Sequence, residues 1–140
     1  MIRYVDSSVV LRAVLGQRGA LSGSDEPGHS ITSALTRVEC LRTLDRVRLE
    51  ENLTDDELAR RREAVFRLLK SFVLVDPVSA ILERAAQPLP TVLGTLDAIH
   101  LSTALLWQEV EAEAVSFATH DLALARAARA CGLAVIGVAP

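Results

Sequence analysis

Four carboxylates stand where a reaction would need them. Asp6 follows the short apolar run Ile2–Val5, and Thr119, His120 and Asp121 follow another at 114–118. Asp97 opens the most hydrophobic helical stretch, with Leu101 four residues on and Leu105 eight, so it heads the stripe expected to face a sheet. Glu39 lies about two turns into the helical stretch after a run at 29–32, beside Val38 and one turn after Leu35. In open parallel sheets ligands bind beyond the carboxyl ends of the strands, and there these acids would gather. Taken singly, each acid has a plainer use. Asp6 and Asp121 can cap helices, Glu39 can pair with Arg42 or Thr43, and Asp97 can serve a helix dipole. The joint placement is what those uses leave unexplained. Two like charges ~4 Å apart repel by about 4 kcal/mol at an effective dielectric near 20, so four converging carboxylates call for protons or divalent cations. Oxygen donors without histidine or thiolate suit Mg²⁺ or Mn²⁺ rather than zinc.

The elements that must carry these residues alternate short apolar runs with longer helical patterns. Ile2–Val5 reads as a strand, with Asp6 or Ser7 capping a helix over 9–15. Residues 16–28 hold four of the seven glycines and Pro27, the signature of a flexible loop. A strand at 29–32 leads to a helix over 33–49, and a second helix runs to 71 behind Thr54 and Glu57 at capping-box spacing. Strands follow at 72–75, 114–118 and 133–138, and helices over 77–86, 95–109 and 121–130, with Pro88 and Pro90 marking a loop. Strands alternating with helices predict an α/β fold: a three-layer α/β/α sandwich on a small, mostly parallel sheet, with a helical hairpin inserted after the second strand. At 140 residues the chain is expected to form one domain over 1–140.

Composition narrows the function classes. Fifteen Lys and Arg against eighteen Asp and Glu give a net charge of −3, which excludes a general polycation for nucleic acid but not a local basic face. Nine of the fifteen cations lie in 37–70 among eight acids, a suggestion of a phosphate track and no more. Aromatics at 4% argue against a surface that stacks single-stranded bases. Cys40 and Cys131 form no C-x-x-C pair, so zinc-ribbon and thioredoxin chemistry are excluded and two reduced thiols are expected. Arg3 and Asp6 interrupt the first apolar stretch and no run approaches the ~18 apolar residues of a membrane span. A cytoplasmic protein without a membrane partner is the expectation.

At this point the residues carry a resemblance. Asp6-Ser7-Ser8-Val9-Val10 resembles the opening motif of PIN-domain nucleases, and the Ser33-to-Glu39 stretch resembles their second, a Ser/Thr-led helix reaching a glutamate. Leu96-Asp97-Ala98-Ile99-His100 through Ala104 resembles the third motif, and Thr119-His120-Asp121 followed by Leu124, Ala127, Ala128 and Gly132 the fourth. Each motif is weak alone, but the four occur in order over essentially the whole chain, whose size and acidity are similar to the VapC toxins of bacterial toxin–antitoxin pairs. The resemblance implies a PIN-like fold and an endoribonuclease whose Asp6, Glu39, Asp97 and Asp121 hold one or two Mg²⁺ or Mn²⁺ ions. Water would be the nucleophile, leaving a 5′-phosphate and a 3′-hydroxyl. Ser7, Thr36 and Thr119 would orient those acids or contact phosphate, with local capping as their alternative use. A small cognate antitoxin docking on the helices of 33–71, and a homodimer, are also implied. His100 occupies a position where the family carries a similar residue without a catalytic role, and His120 stands beside Asp121.

Other readings remain in view. A degenerate PIN-like binding module and a structure-specific DNA nuclease share these residues. A dehalogenase-type phosphatase needs a second Asp where Ser8 stands, and a phosphorelay receiver needs a strand-end lysine, whereas the only lysine is Lys70 inside a helix. No glycine-rich phosphate loop follows any strand.

Overall fold

The structure is a computed structural model and describes residues 1–21 and 29–139. Of the glycine-rich loop expected at 16–28, residues 22–28 lie outside the described residues. The elements are β1 (Ile2–Val5), α1 (Ser7–Val14), β2 (Ser30–Ser33), α2 (Leu35–Glu51), α3 (Asp55–Lys70), β3 (Val73–Val75), α4 (Ser79–Ala85), α5 (Thr95–Glu111), β4 (Val115–Ala118), α6 (Leu122–Ala130) and β5 (Ala134–Ile136). The strands form one sheet in the order β3-β2-β1-β4-β5, and every neighbouring pair is parallel. From the central β1 the chain builds outward through β2 and β3, then crosses back to add β4 and β5 on the other side. The order therefore reverses between β1 and β4, which is where an open parallel sheet leaves a crevice. Val5 pairs with Ala118, so the carboxyl ends of the two strands are level and Asp6 and Thr119 leave them side by side.

Period-two alternation explains the layers. Ile2 and Tyr4 of β1, with Val115 and Phe117 of β4, enter a core shared with Leu101 and Leu105 of α5 and Leu124 of α6. Val5 and Ala118 turn the other way, onto Val9 and Val10 of α1, Cys40 and Leu44 of α2, and Val65 and Leu69 of α3. The expected α/β/α sandwich results, with α4 packed on α5. The expected hairpin is α2–α3, turned by Asn52 at φ 50° and restarted by a reciprocal capping box in which Thr54 and Glu57 exchange two 3.1 Å bonds. Among the described residues no helix is long and apolar enough to cross a membrane.

Boundaries differ from the sequence reading where side chains bond to the local backbone. α1 starts at Ser7 rather than Val9, because the Asp6 carboxylate accepts from the amides of Ser8 and Val9. The second helix starts at Leu35 rather than Ser33: β2 retains Ser33, whose hydroxyl accepts from the Leu35 amide at 3.1 Å. β5 is shorter than 133–138, since Leu133 is buried in the core and Gly137 adopts φ 103°.

Candidate active site

Asp6 occupies the crevice between β1 and β4 and is only 3% exposed. Its Oδ1 accepts from the Ser8 hydroxyl at 2.5 Å and the amides of Ser8 and Val9 at 3.1 and 3.4 Å, while Oδ2 accepts from the Thr119 hydroxyl at 2.9 Å. Ser8 Oγ accepts from the His120 amide at 2.9 Å, and Thr119 Oγ1 from the Asp121 amide at 3.0 Å. Two hydroxyls thus lace the turn after β1 to the turn after β4 through one carboxylate. Burial pushes the Asp6 carboxyl up from its ordinary value, and hydrogen bonds from Ser8, the His100 charge and the Thr119 bond pull it back.

Glu39 reaches the same end of the sheet from α2. Its Oε2 accepts from Ser7 Oγ at 3.2 Å, and its Oε1 lies 2.5 Å from His100 Nε2. On the other side of the ring, His100 Nδ1 lies 2.6 Å from the Tyr4 hydroxyl. The ring is 1% exposed, and Tyr4 is held by stacking on Phe117 at 5.1 Å between centroids. Burial, then the charge of Asp6, keep Tyr4 well above the ordinary phenol range, so its hydroxyl stays protonated. Glu39 therefore pairs with Ser7 and His100, not with Arg42 or Thr43.

Asp97, half-buried in the first turn of α5, is the group on which the other acids act together. Its carboxyl is pushed up first by burial and then by the charges of Asp121, Asp6 and Glu39, with His100 alone opposing. Asp121 is exposed and caps α6, its Oδ1 accepting from the Leu124 amide at 2.8 Å. Among the described residues no Arg or Lys forms an ion pair with any of these four acids. Mutually repelling hard-oxygen donors without a cationic side chain fit Mg²⁺ or Mn²⁺ in chemistry. Among the described residues, however, no group of three His, Cys, Asp or Glu side chains is arranged to hold an ion as placed, so an ion would have to draw the carboxylates in. An open groove of about 450 Å³ runs along α2 from Glu39 past Arg42, Arg46 and Leu49 to Leu96, the neighbour of Asp97.

Against this geometry, the PIN-domain family model matches residues 3–130. The chain belongs to the PIN-domain family. It is 33% identical over 136 residues to Ribonuclease VapC46 of Mycobacterium tuberculosis, covering 95% of each chain. Two solved structures share the PIN fold with it. A toxin–antitoxin complex from Klebsiella pneumoniae superposes with a TM-score of 0.60 at 19% identity, over 85% of this chain and 86% of that one. PAE2754 from Pyrobaculum aerophilum superposes with a TM-score of 0.62 at 15% identity, over 97% and 84%.

Of the remaining residues picked out in the sequence, Ser7 and Thr119 touch acids of this PIN-domain cluster. Thr36 does not: it is fully buried, and its hydroxyl donates to Thr32 Oγ1 at 2.7 Å, which in turn donates to the Val5 carbonyl. There it braces the turn between β2 and α2. Sequence reasoning passed over Ser8 and Tyr4 and gave His100 no part in holding an acid. A signal existed for two of them. Tyr4 alternates with Ile2 on the core face, where a buried phenol needs a hydrogen-bond partner, and His100 lies one residue before Leu101 in the apolar run of α5, where a buried imidazole needs one too.

Proposed function

We propose that this PIN-domain chain, as one domain over 1–140, is a cytoplasmic endoribonuclease that hydrolyses RNA phosphodiesters with Mg²⁺ or Mn²⁺ held by Asp6, Glu39, Asp97 and Asp121. The observation that carries this reading is the gathering of the four acids at the switch point of the sheet, Asp6 laced to the turn after β4, Glu39 reaching in from α2 and Asp97 under the charge of the other three, with no arginine or lysine paired to them among the described residues. The choice of RNA rests on the 33% identity to a protein named as a ribonuclease. When bound, the ion would supply a water of lowered pKa and neutralise charge on the leaving oxygen. The residues of the chain supply position. Ser8 and Thr119 fix both oxygens of Asp6, so that it meets a ligand without rotamer loss. Ser7 and His100 each take one lone pair of Glu39 and leave others free. Asp121, at the exposed rim, spends Oδ1 on its helix cap, and no hydrogen bond falls on its Oδ2 among the described residues. Arg42 and Arg46, on the wall of the groove leading to Glu39, suit the flanking phosphates of a strand.

The same reading makes the protein the toxin of a toxin–antitoxin pair, acting as a homodimer and silenced by a small cognate antitoxin. Its support is the likeness to VapC46, the fold shared with a chain from a toxin–antitoxin complex, and the exposure of Val38 and Leu49 on α2. The deciding experiment incubates purified protein with RNA and maps the new ends. Cleavage with Mn²⁺ or Mg²⁺, 5′-phosphate ends, arrest by EDTA and loss in Asp6→Asn and Asp97→Asn are expected. Cleavage of DNA alone would make it a DNA nuclease, and metal-independent cleavage or an active Asp97→Asn would overturn the site.

A further inference from the structure

Glu39 differs from the other three acids in how it is held. Asp6 and Asp121 are fixed as helix caps and Asp97 sits in a first turn, but Glu39 projects from within α2 on a long side chain. Nothing on α2 itself fixes that carboxylate. It is held at Oε2 from α1, by the Ser7 hydroxyl at 3.2 Å, and at Oε1 from β1 and α5, through a buried chain that runs Tyr4 hydroxyl, His100 ring, Glu39 Oε1, with links of 2.6 and 2.5 Å. Tyr4 lies edge-on to the imidazole at 5.9 Å and stacks on Phe117 of β4, so the ring cannot turn without disturbing the sheet. Facing a carboxylate, which can only accept, Nε2 carries a ring proton aimed at Glu39, whichever of the Tyr4 hydroxyl and Nδ1 donates in the other link.

From this arrangement we infer that Tyr4 and His100 are positioning residues: they hold the Glu39 carboxylate at the crevice, from which it joins the other acids on the divalent cation. The inference rests on the proposed metal-dependent reading of the site. Neither residue touches RNA; both act through Glu39. The functional distinction from a merely satisfied buried histidine is that metal affinity, and not only stability, depends on the relay.

The test measures Mn²⁺ binding by calorimetry and by the Mn²⁺ spin-resonance signal, together with RNA cleavage across Mn²⁺ concentration, for wild type, Tyr4→Phe, His100→Gln, His100→Leu and Asp97→Asn. His100→Leu is expected to weaken Mn²⁺ binding by about 10–100-fold, the usual cost of losing a partner behind a metal ligand. Its kcat should fall at limiting Mn²⁺ and recover at high Mn²⁺, with KM for RNA unchanged. His100→Gln, which keeps a donor, should recover part of the affinity, and Tyr4→Phe, which keeps the stacked ring, should lose part of it. If His100→Leu fails to fold, Tyr4→Phe decides. Mn²⁺ affinity within twofold of wild type in folded Tyr4→Phe and His100→Leu, or a kcat that added Mn²⁺ does not restore, overturns the inference while wild type still cleaves and Asp97→Asn does not. A wild type that binds no Mn²⁺ overturns the metal reading, and the inference with it.

Discussion

Thr119→Val puts the lacing of the crevice to a quantitative test. The substitution keeps the branched shape of a fully buried side chain and exchanges only its hydroxyl for a methyl. In the wild type that hydroxyl donates to Asp6 Oδ2 at 2.9 Å and accepts from the Asp121 amide at 3.0 Å. A hydrogen bond to a charged group contributes about 1.5–3 kcal/mol. The Asp121 amide belongs to an exposed residue, where water replaces the lost acceptor, so it adds little. The expected loss is about 2 kcal/mol at neutral pH, or about 6–10 °C in Tm for a chain of this length. Burial holds the Asp6 carboxyl above its ordinary value, so ionised Asp6 costs the fold stability at neutral pH, and that cost fades as pH falls through the raised folded-state value. Removing the Thr119 donor raises that value further. The penalty of Thr119→Val is therefore largest at neutral pH and shrinks on acidification. Urea unfolding in EDTA, for wild type, Thr119→Val, Asp6→Asn and the double variant, measures it. In the Asp6→Asn background the cost should drop to about 1 kcal/mol, the worth of a neutral bond. A loss below about 0.5 kcal/mol, or the same loss with and without the Asp6 charge, would refute the argument.

Four further outcomes rest on the same structure. Asp97→Asn should raise Tm in EDTA at neutral pH, because burial and then Asp121, Asp6 and Glu39 hold the wild-type carboxyl high; the gain should vanish as pH falls and wild-type Asp97 protonates. Mn²⁺ at 100 times its Kd should stabilise wild type by about 2.7 kcal/mol and leave Asp97→Asn unmoved, as read by thermal melts. Gly137→Ala should cost at least about 2 kcal/mol and cut cleavage: φ is 103°, and the new Cβ would collide with the Thr119 carbonyl oxygen and lie 3.3 Å from His120 Nδ1, shifting the turn that carries Thr119. An Ala variant as stable and active as wild type would contradict it. Burial, then the charges of Glu39 and Asp6, push the Cys40 thiol up to about 12, so maleimide at pH 8 should label half-exposed Cys131 far faster; equal rates by mass spectrometry would contradict it.

Much of the fold was legible because it depends on local periodicity. Ile2 and Tyr4 on one face and Val5 on the other announce a buried strand, and Thr54 with Glu57 announces a helix start that the structure completes as a capping box. Boundaries slipped at Asp6 and Ser33 because a side chain there bonds a backbone amide within three residues, which moves a helix start without altering hydrophobic pattern. Thr36 has two uses open in sequence for a related reason. Its position one helical turn before Glu39 suggests the site, but its hydroxyl is consumed by Thr32, a pairing that only the packing of β2 under α2 determines.

The acids were visible in sequence, and the groups that hold them mostly were not. Position after a strand is a local property, but the link from Tyr4 to His100 spans 96 residues and that from Glu39 to His100 spans 61. Such contacts depend on β1 pairing with β4 and on α5 crossing that pair, so no window of sequence contains them. The capping and site readings of Asp6 and Asp121 likewise looked like alternatives in sequence, and the geometry shows that they are compatible. At Asp6, Oδ1 takes the helix amides and Ser8 while Oδ2 takes Thr119; at Asp121, Oδ1 takes the Leu124 amide and no hydrogen bond falls on Oδ2 among the described residues. A carboxylate has two oxygens and about four lone pairs, so one residue can start a helix and still offer a donor to the crevice. The net charge of −3 bears on the same point. Setting these four acids aside leaves fifteen cations against fourteen acids, so the chain's negative excess resides in the cluster where a divalent ion would be bound.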